Sequence, residues 1–158
     1  MVGLLSYKIF PDKKLVVECL RGIVYVEDYI ELKKREIADK DYCPTYNILL
    51  DLLGSDFKIY DLELHKLVDF LKNNPVFSGK KKVAILTDSP NQVVTAELFR
   101  LYYKNNNVSI RIASTLGTVT QSVGLNKNET QFILDTIKEL TIIRYLPPKH
   151  QKQLKIVY

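Results

Sequence analysis

Two nearly continuous apolar runs, each followed by a segment of helical period, limit what this chain can fold into. Residues 46–53 read YNILLDLL and residues 82–87 read KVAILT. Neither alternates polar with apolar, so each reads as a strand buried on both faces, as in a parallel sheet covered by helices. After the first run, Leu64, Leu67, Val68 and Leu71 recur at i, i+3, i+4 and i+7, which predicts an amphipathic helix over 61–73. Asp61 reads as its N-cap, and Asn73-Asn74-Pro75 ends it. After the second run, Ser89-Pro90-Asn91-Gln92 places Ser at the N-cap, Pro at the first helical position and Gln where it completes a capping box. That helix is expected from 90 to about 104, packing through Val94, Leu98, Leu101 and Tyr102.

The rest of the chain extends this alternation. Residues 4–10 and 14–20 are short β-rich runs around Pro11-Asp12-Lys13 and read as a hairpin, after which Gly22 breaks the pattern. Residues 26–38 read as a helix with Val26, Ile30 and Ile37 near one face, followed by a loop to Pro44. VSIRIA at 108–113 alternates, as a half-exposed strand near a sheet edge does. Ser114-Thr115 can cap a short helix ending near Gly124. A last helix over 129–143 turns Ile133, Ile137 and Leu140 inward, with a capping pattern from Asn126 to Glu129. The expected class is α/β: a mixed, mostly parallel sheet with one antiparallel N-terminal strand and helices on its faces.

The chain has 158 residues, 46% hydrophobic and 26% charged, enough for one packed domain. Residues 1–125 read as that domain, and 126–158 as a C-terminal helix and tail packed on it or extending from it. The net charge of +5 is uneven. Residues 1–79 hold 11 basic and 13 acidic side chains, whereas residues 80–158 hold 12 and 5. The basic residues are scattered, the longest run being Lys80-Lys81-Lys82. They read as solvated surface without a nucleic-acid fold signature, so no nucleic-acid partner is expected. Cys19 and Cys43 lack the paired spacing of a zinc site, and Cys19 reads as a small core residue. No metal and no cofactor are expected. No apolar segment has the length of a membrane span and the N-terminus lacks a signal-peptide pattern, so the expected location is the cytoplasm, with no membrane insertion. The tail after Pro147-Pro148 is basic but ends in Leu154, Ile156, Val157 and Tyr158, which suits a docking strand or arm.

In open parallel sheets, ligands bind beyond the carboxyl ends of the strands. Four loops share that rim: 22–28, 51–61, 87–90 and 113–118. They gather Asp51, Ser55, Asp56, Asp61, Thr87, Asp88, Ser89, Ser114 and Thr115, near helix N-termini that favour anions. These residues read either as an anion or partner site, or as helix caps and loop residues. Asp51 ends an apolar strand, where a carboxylate is costly unless it is paired, exposed at the rim or bonded to loop N–H groups. Lys80–Lys82 precede a strand and so lie at the other end of the sheet. The chain holds no GxSxG, P-loop, GxGxxG or HExxH pattern. His65 and His150 read as surface histidines.

Tyr46-Asn47-Ile48-Leu49-Leu50-Asp51, Lys82-Val83-Ala84-Ile85-Leu86-Thr87-Asp88-Ser89-Pro90 and Ser114-Thr115-Leu116, in this order, resemble the small bacterial STAS-like domains. These are the SpoIIAA-like, anti-sigma-factor-antagonist-like proteins, also grouped in a SEC14-like superfamily. The resemblance spans residues 7–124. It implies a mixed sheet that begins with an antiparallel strand, and a regulatory protein that docks a partner. In antagonists of this kind a serine at the start of the helix after the central strand is phosphorylated. Here the matching stretch is Ile59-Tyr60-Asp61-Leu62, and no Ser or Thr occurs between Asp56 and Phe77. Ser55 lies upstream in the loop. The expected function is a non-enzymatic signalling or protein-interaction module whose partner is another protein or a second copy of the chain. The alternative is a small-ligand or anion-binding protein that uses the rim.

Overall fold

The computed structural model describes residues 3–142. Its strands are β1 (Leu4–Phe10), β2 (Leu15–Val24), β3 (Asn47–Asp51), β4 (Ser55–Phe57), β5 (Lys81–Leu86) and β6 (Val108–Ala113). Its helices are α1 (Val26–Ile37), α2 (Asp61–Asn73), α3 (Pro90–Tyr102), α4 (Leu116–Ser122) and α5 (Thr130–Ile142). The strands lie in the order β1-β2-β3-β5-β6, with β4 also pairing β2. Only the β1–β2 pair is antiparallel, so the sheet is mixed and mostly parallel, as expected. The expectations for the tail lie outside the described residues.

β1 and β2 are joined by a 3-10 turn at Pro11–Lys13, closed by the left-handed Lys14, whose N–H donates to the Pro11 carbonyl. Gly22 does not end the second strand, contrary to the sequence expectation. With φ at 73° it lets β2 bend and continue to Val24. Past that bend β2 leaves β3 and pairs with β4, Gly22 opposite Ser55 and Val24 opposite Phe57. β4 is the one strand the sequence did not predict. Its three residues, SDF, are too short to show a period.

Alternation along the strands divides the interior in two. On one face, Leu15, Val17, Cys19, Leu49, Ala84 and Leu86 meet Val119 and Val123 of α4 and Ile133, Ile137 and Leu140 of α5. On the other, Leu20, Val24, Leu50 and Ile85 meet α1 and α3, and Leu64, Leu67, Val68 and Leu71 of α2 pack beside Val26 and Tyr103. β6 is an edge strand, with Ser109 and Arg111 exposed. A charged side chain on an edge discourages pairing with another chain.

Two helices turn differently from the sequence expectation. α3 buries Gln92 and Ala96, whereas Val94 and Leu101 are more than half exposed. The reason is the Gln92 side chain. Its amide nitrogen donates to the carbonyls of Leu52 and Ser55 at 2.7 and 3.0 Å, and its oxygen accepts the Asp88 N–H at 2.8 Å. With every polar atom matched, glutamine is tolerated inside, and the apolar stripe through Val94 turns outward. The capping box therefore does not close through Gln92, although Ser89 does cap α3. α1 buries Val26 as expected, but beside it Leu32, Lys33 and Glu36, while Ile30 and Ile37 are only half-buried.

Candidate functional site

At the carboxyl rim most of the polar groups are already in use. Asp51 is fully buried; it accepts from Arg21 and from the Leu53 N–H at 2.9 Å. Both pairing and a backbone N–H thus meet the cost of its burial, which still raises its pKa against the lowering effect of Arg21. Ser55 is buried and donates to the Leu52 carbonyl at 2.6 Å. Asp88 accepts the Gly54 N–H, at a turn whose φ of 67° suits glycine. Thr87 is buried against the Ala113 carbonyl, Thr115 caps α4, and Asp56 pairs with Lys58 at 2.8 Å. Ser114 is exposed at the start of the same turn as Thr115. Asp61 is not the N-cap of α2; Tyr60 is. Asp61 stands in the first turn, where its carboxylate suits the helix dipole and accepts from the Tyr102 hydroxyl at 2.7 Å. The rim brings the expected residues to one end of the sheet, but chiefly as caps and loop fasteners.

The same rim is apolar at its surface. Tyr60 is 71% and Leu62 76% exposed, and Tyr25, Val93 and Val94 are also exposed. All five lie at the N-terminal ends of α1, α2 and α3. Around them stand the exposed acids Glu27, Asp28, Asp56 and Asp61, with Lys58 and Lys66. His65 is half exposed and stacks on Tyr102 at 4.4 Å, a surface histidine as expected.

A second feature lies under α1, α2 and α3. Between them and the sheet is a cavity of about 90 Å³, lined among others by Leu50, Leu67, Val83, Ile85, Ala96 and Phe99. Lys33 and Lys81 also line it. Both belong to its far end, since Lys81 opens β5 and Lys33 lies in the last turns of α1. Its two charged lining residues thus stand at the end of the strands opposite the rim.

These polar groups form a buried cluster. Glu18, Glu36 and Lys33 are at most 3% exposed. Lys33 donates to Glu18 Oε1 and to Glu36 Oε1, both at 2.8 Å, and the Tyr29 hydroxyl donates to Glu18 Oε2 at 2.7 Å. Burial works against the Lys33 charge, but the two carboxylates outweigh it and hold its pKa well above the usual lysine value. Burial pushes Glu36 up to about 8, against the lowering effect of the Lys33 ammonium. Burial pulls Lys81 down to about 8, and the Lys33 charge adds to this. This cluster was not expected from the sequence. Glu18 interrupts LVVECL as Asp51 interrupts its own run, and the same cost argument applied to it. Lys81 was read as solvated, yet the strand begins there and carries it inside.

Among the described residues, no helix is long and apolar enough to cross a membrane, and no group of three or more His, Cys, Asp and Glu is placed to hold a metal. No family model and no curated protein sequence matches the chain. A solved structure does: an uncharacterized protein of the DUF3478 family with a SpoIIAA-like fold, from Shewanella loihica PV-4. The TM-score is 0.50 at 13% sequence identity, over 77% of this chain and 93% of that one. At that identity the likeness concerns the fold alone. The chain has a SpoIIAA-like, and so STAS-like, α/β fold.

Proposed function

We propose that this chain is a non-enzymatic regulatory module that docks a protein partner through the rim formed by the N-terminal ends of α1, α2 and α3. The observation that carries this reading is the exposure of Tyr60 and Leu62 in the first turn of α2, beside Tyr25, Val93 and Val94. Large apolar side chains grouped on a surface favour association. The four surrounding acids against two lysines suit a partner that presents apolar side chains flanked by Lys or Arg. The rim's Ser, Thr and Asp side chains mostly serve loop and cap bonds, which argues against their use as nucleophile or base. Ser55 is buried and no Ser or Thr follows before Phe77, so docking does not rest on phosphorylation at α2.

The test is capture of a partner from native lysate by the full chain and by Leu62→Asp and Asp61→Lys variants. Lys138→Ala, on the exposed side of α5, serves as control. A partner held by the wild type and the control, and lost from both rim variants, supports the reading. Equal recovery with all four overturns it.

A further inference from the structure

We propose that the cavity under α1, α2 and α3 is a binding site for a short aliphatic carboxylate, its chain among the apolar side chains and its head at the Lys81 ammonium. This site is separate from the rim and does not depend on docking there.

Two observations converge on it. The first is shape and chemistry. The cavity has apolar walls, and its lining includes Leu67, Val83, Ile85 and Phe99, with two lysines at one end. Ligand sites are commonly of this kind, mostly apolar with a few placed polar groups. The second is an unmet donor. Lys81 is only 6% exposed, yet among the described residues its ammonium makes no hydrogen bond or ion pair, whereas Lys33 beside it is held by two carboxylates. Its nitrogen is not fully enclosed, and a carboxylate head would give it a charged partner.

The nearby carboxylates do not forbid an anion. Glu18 is bonded to both Lys33 and Tyr29, and Glu36 to Lys33. Size limits the chain. A site needs roughly 10–15 Å³ of such volume for each water-sized group. About 90 Å³ then holds roughly six to nine of them, the number of non-hydrogen atoms in butanoate to heptanoate.

The test is titration of the full chain with hexanoate and with 1-hexanol at pH 7, followed by calorimetry and by amide chemical shifts. Hexanoate is expected to bind one to one, to shift amides of β5, α1 and α3, and to bind at least tenfold more tightly than 1-hexanol. Lys81→Met is expected to bring hexanoate down to the level of 1-hexanol, and Ala96→Leu to weaken both ligands. Absence of saturable hexanoate binding to the wild type overturns the site. Equal binding of acid and alcohol by the wild type overturns the role of Lys81 without recourse to any variant, and so does a folded Lys81→Met protein that binds hexanoate unchanged.

Discussion

On the face covered by α4 and α5, the sheet contributes Leu15, Val17, Cys19, Leu49, Ala84 and Leu86 to an apolar cluster. On the face covered by α1, α2 and α3, the same strands contribute Glu18, Ile48, Leu50, Val83 and Ile85, a buried lysine stands between two glutamates, and a cavity remains. Protein interiors are normally packed to crystal density, and apolar side chains shift to fill gaps. Hydrogen-bonded charges do not shift so readily, because each must keep its distance and angle to its partner. The difference teaches that the second face trades close packing for a fixed polar arrangement. The first face is apolar apart from Asp51, which pairs with Arg21 at the rim.

The largest expected effect breaks that arrangement. Lys33→Met leaves Glu18 and Glu36 buried without their shared cation and is expected to cost about 3–5 kcal/mol in urea denaturation. Replacing all three at once, as Glu18→Leu with Lys33→Met and Glu36→Leu, is expected to recover most of that loss, since a well-packed apolar set commonly equals a buried ion cluster. Failure of the triple variant to recover would mean that the charges do more than satisfy one another.

A smaller effect sharpens the comparison through pH. Glu36 in the folded protein has a pKa of about 8, above its ordinary value of 4.5. A raised pKa gives stability that is complete below about 4.5 and lost as pH rises through about 8. Lys81, lowered from 10.5 to about 8, has the opposite sign, and its contribution returns only above that value. Between pH 5 and 7.5 the Glu36 proton dominates this pair. Stability is expected to fall there by up to about 1.4 kcal/mol per pH unit, and Glu36→Gln to remove that slope. Equal slopes in wild type and variant would show that the carboxyl is not held protonated.

The smallest effect marks the boundary of the cluster. Lys34 pairs with Glu31 one residue away from Lys33, but both side chains are more than half exposed. Lys34→Ala is expected to change stability by less than about 0.5 kcal/mol. A cost like that of Lys33→Met would erase the distinction between the buried and exposed faces of α1.

Much of the fold was legible in the residues themselves. The apolar runs at 46–53 and 82–87, the Ser89-Pro90 start and the Leu64, Leu67, Val68, Leu71 stripe each express one local rule, and the tertiary structure agrees with it. What escaped needed a second element. β4 is defined by its pairing with a β2 that bends at Gly22. The turn of α3 is decided by carbonyls of Leu52 and Ser55, some forty residues away in the chain. Topology brings the rim loops to one end of the sheet, but whether their polar groups are free depends on loop bonds that no periodicity records. The cluster at the other end was half legible. A glutamate amid LVVECL signals a buried carboxylate, but its cation on α1 and the neighbouring Lys81 are brought there only by the crossover.

The most direct measurement compares urea denaturation of Ala96→Leu, beside the cavity, with that of Ala84→Leu, in the packed face. The account predicts that Ala96→Leu changes stability by less than about 0.5 kcal/mol or raises it, because there is space to fill. Ala84→Leu is expected to cost about 1–3 kcal/mol from overpacking. Equal losses at both positions would contradict the open cavity, and with it the contrast between the two faces.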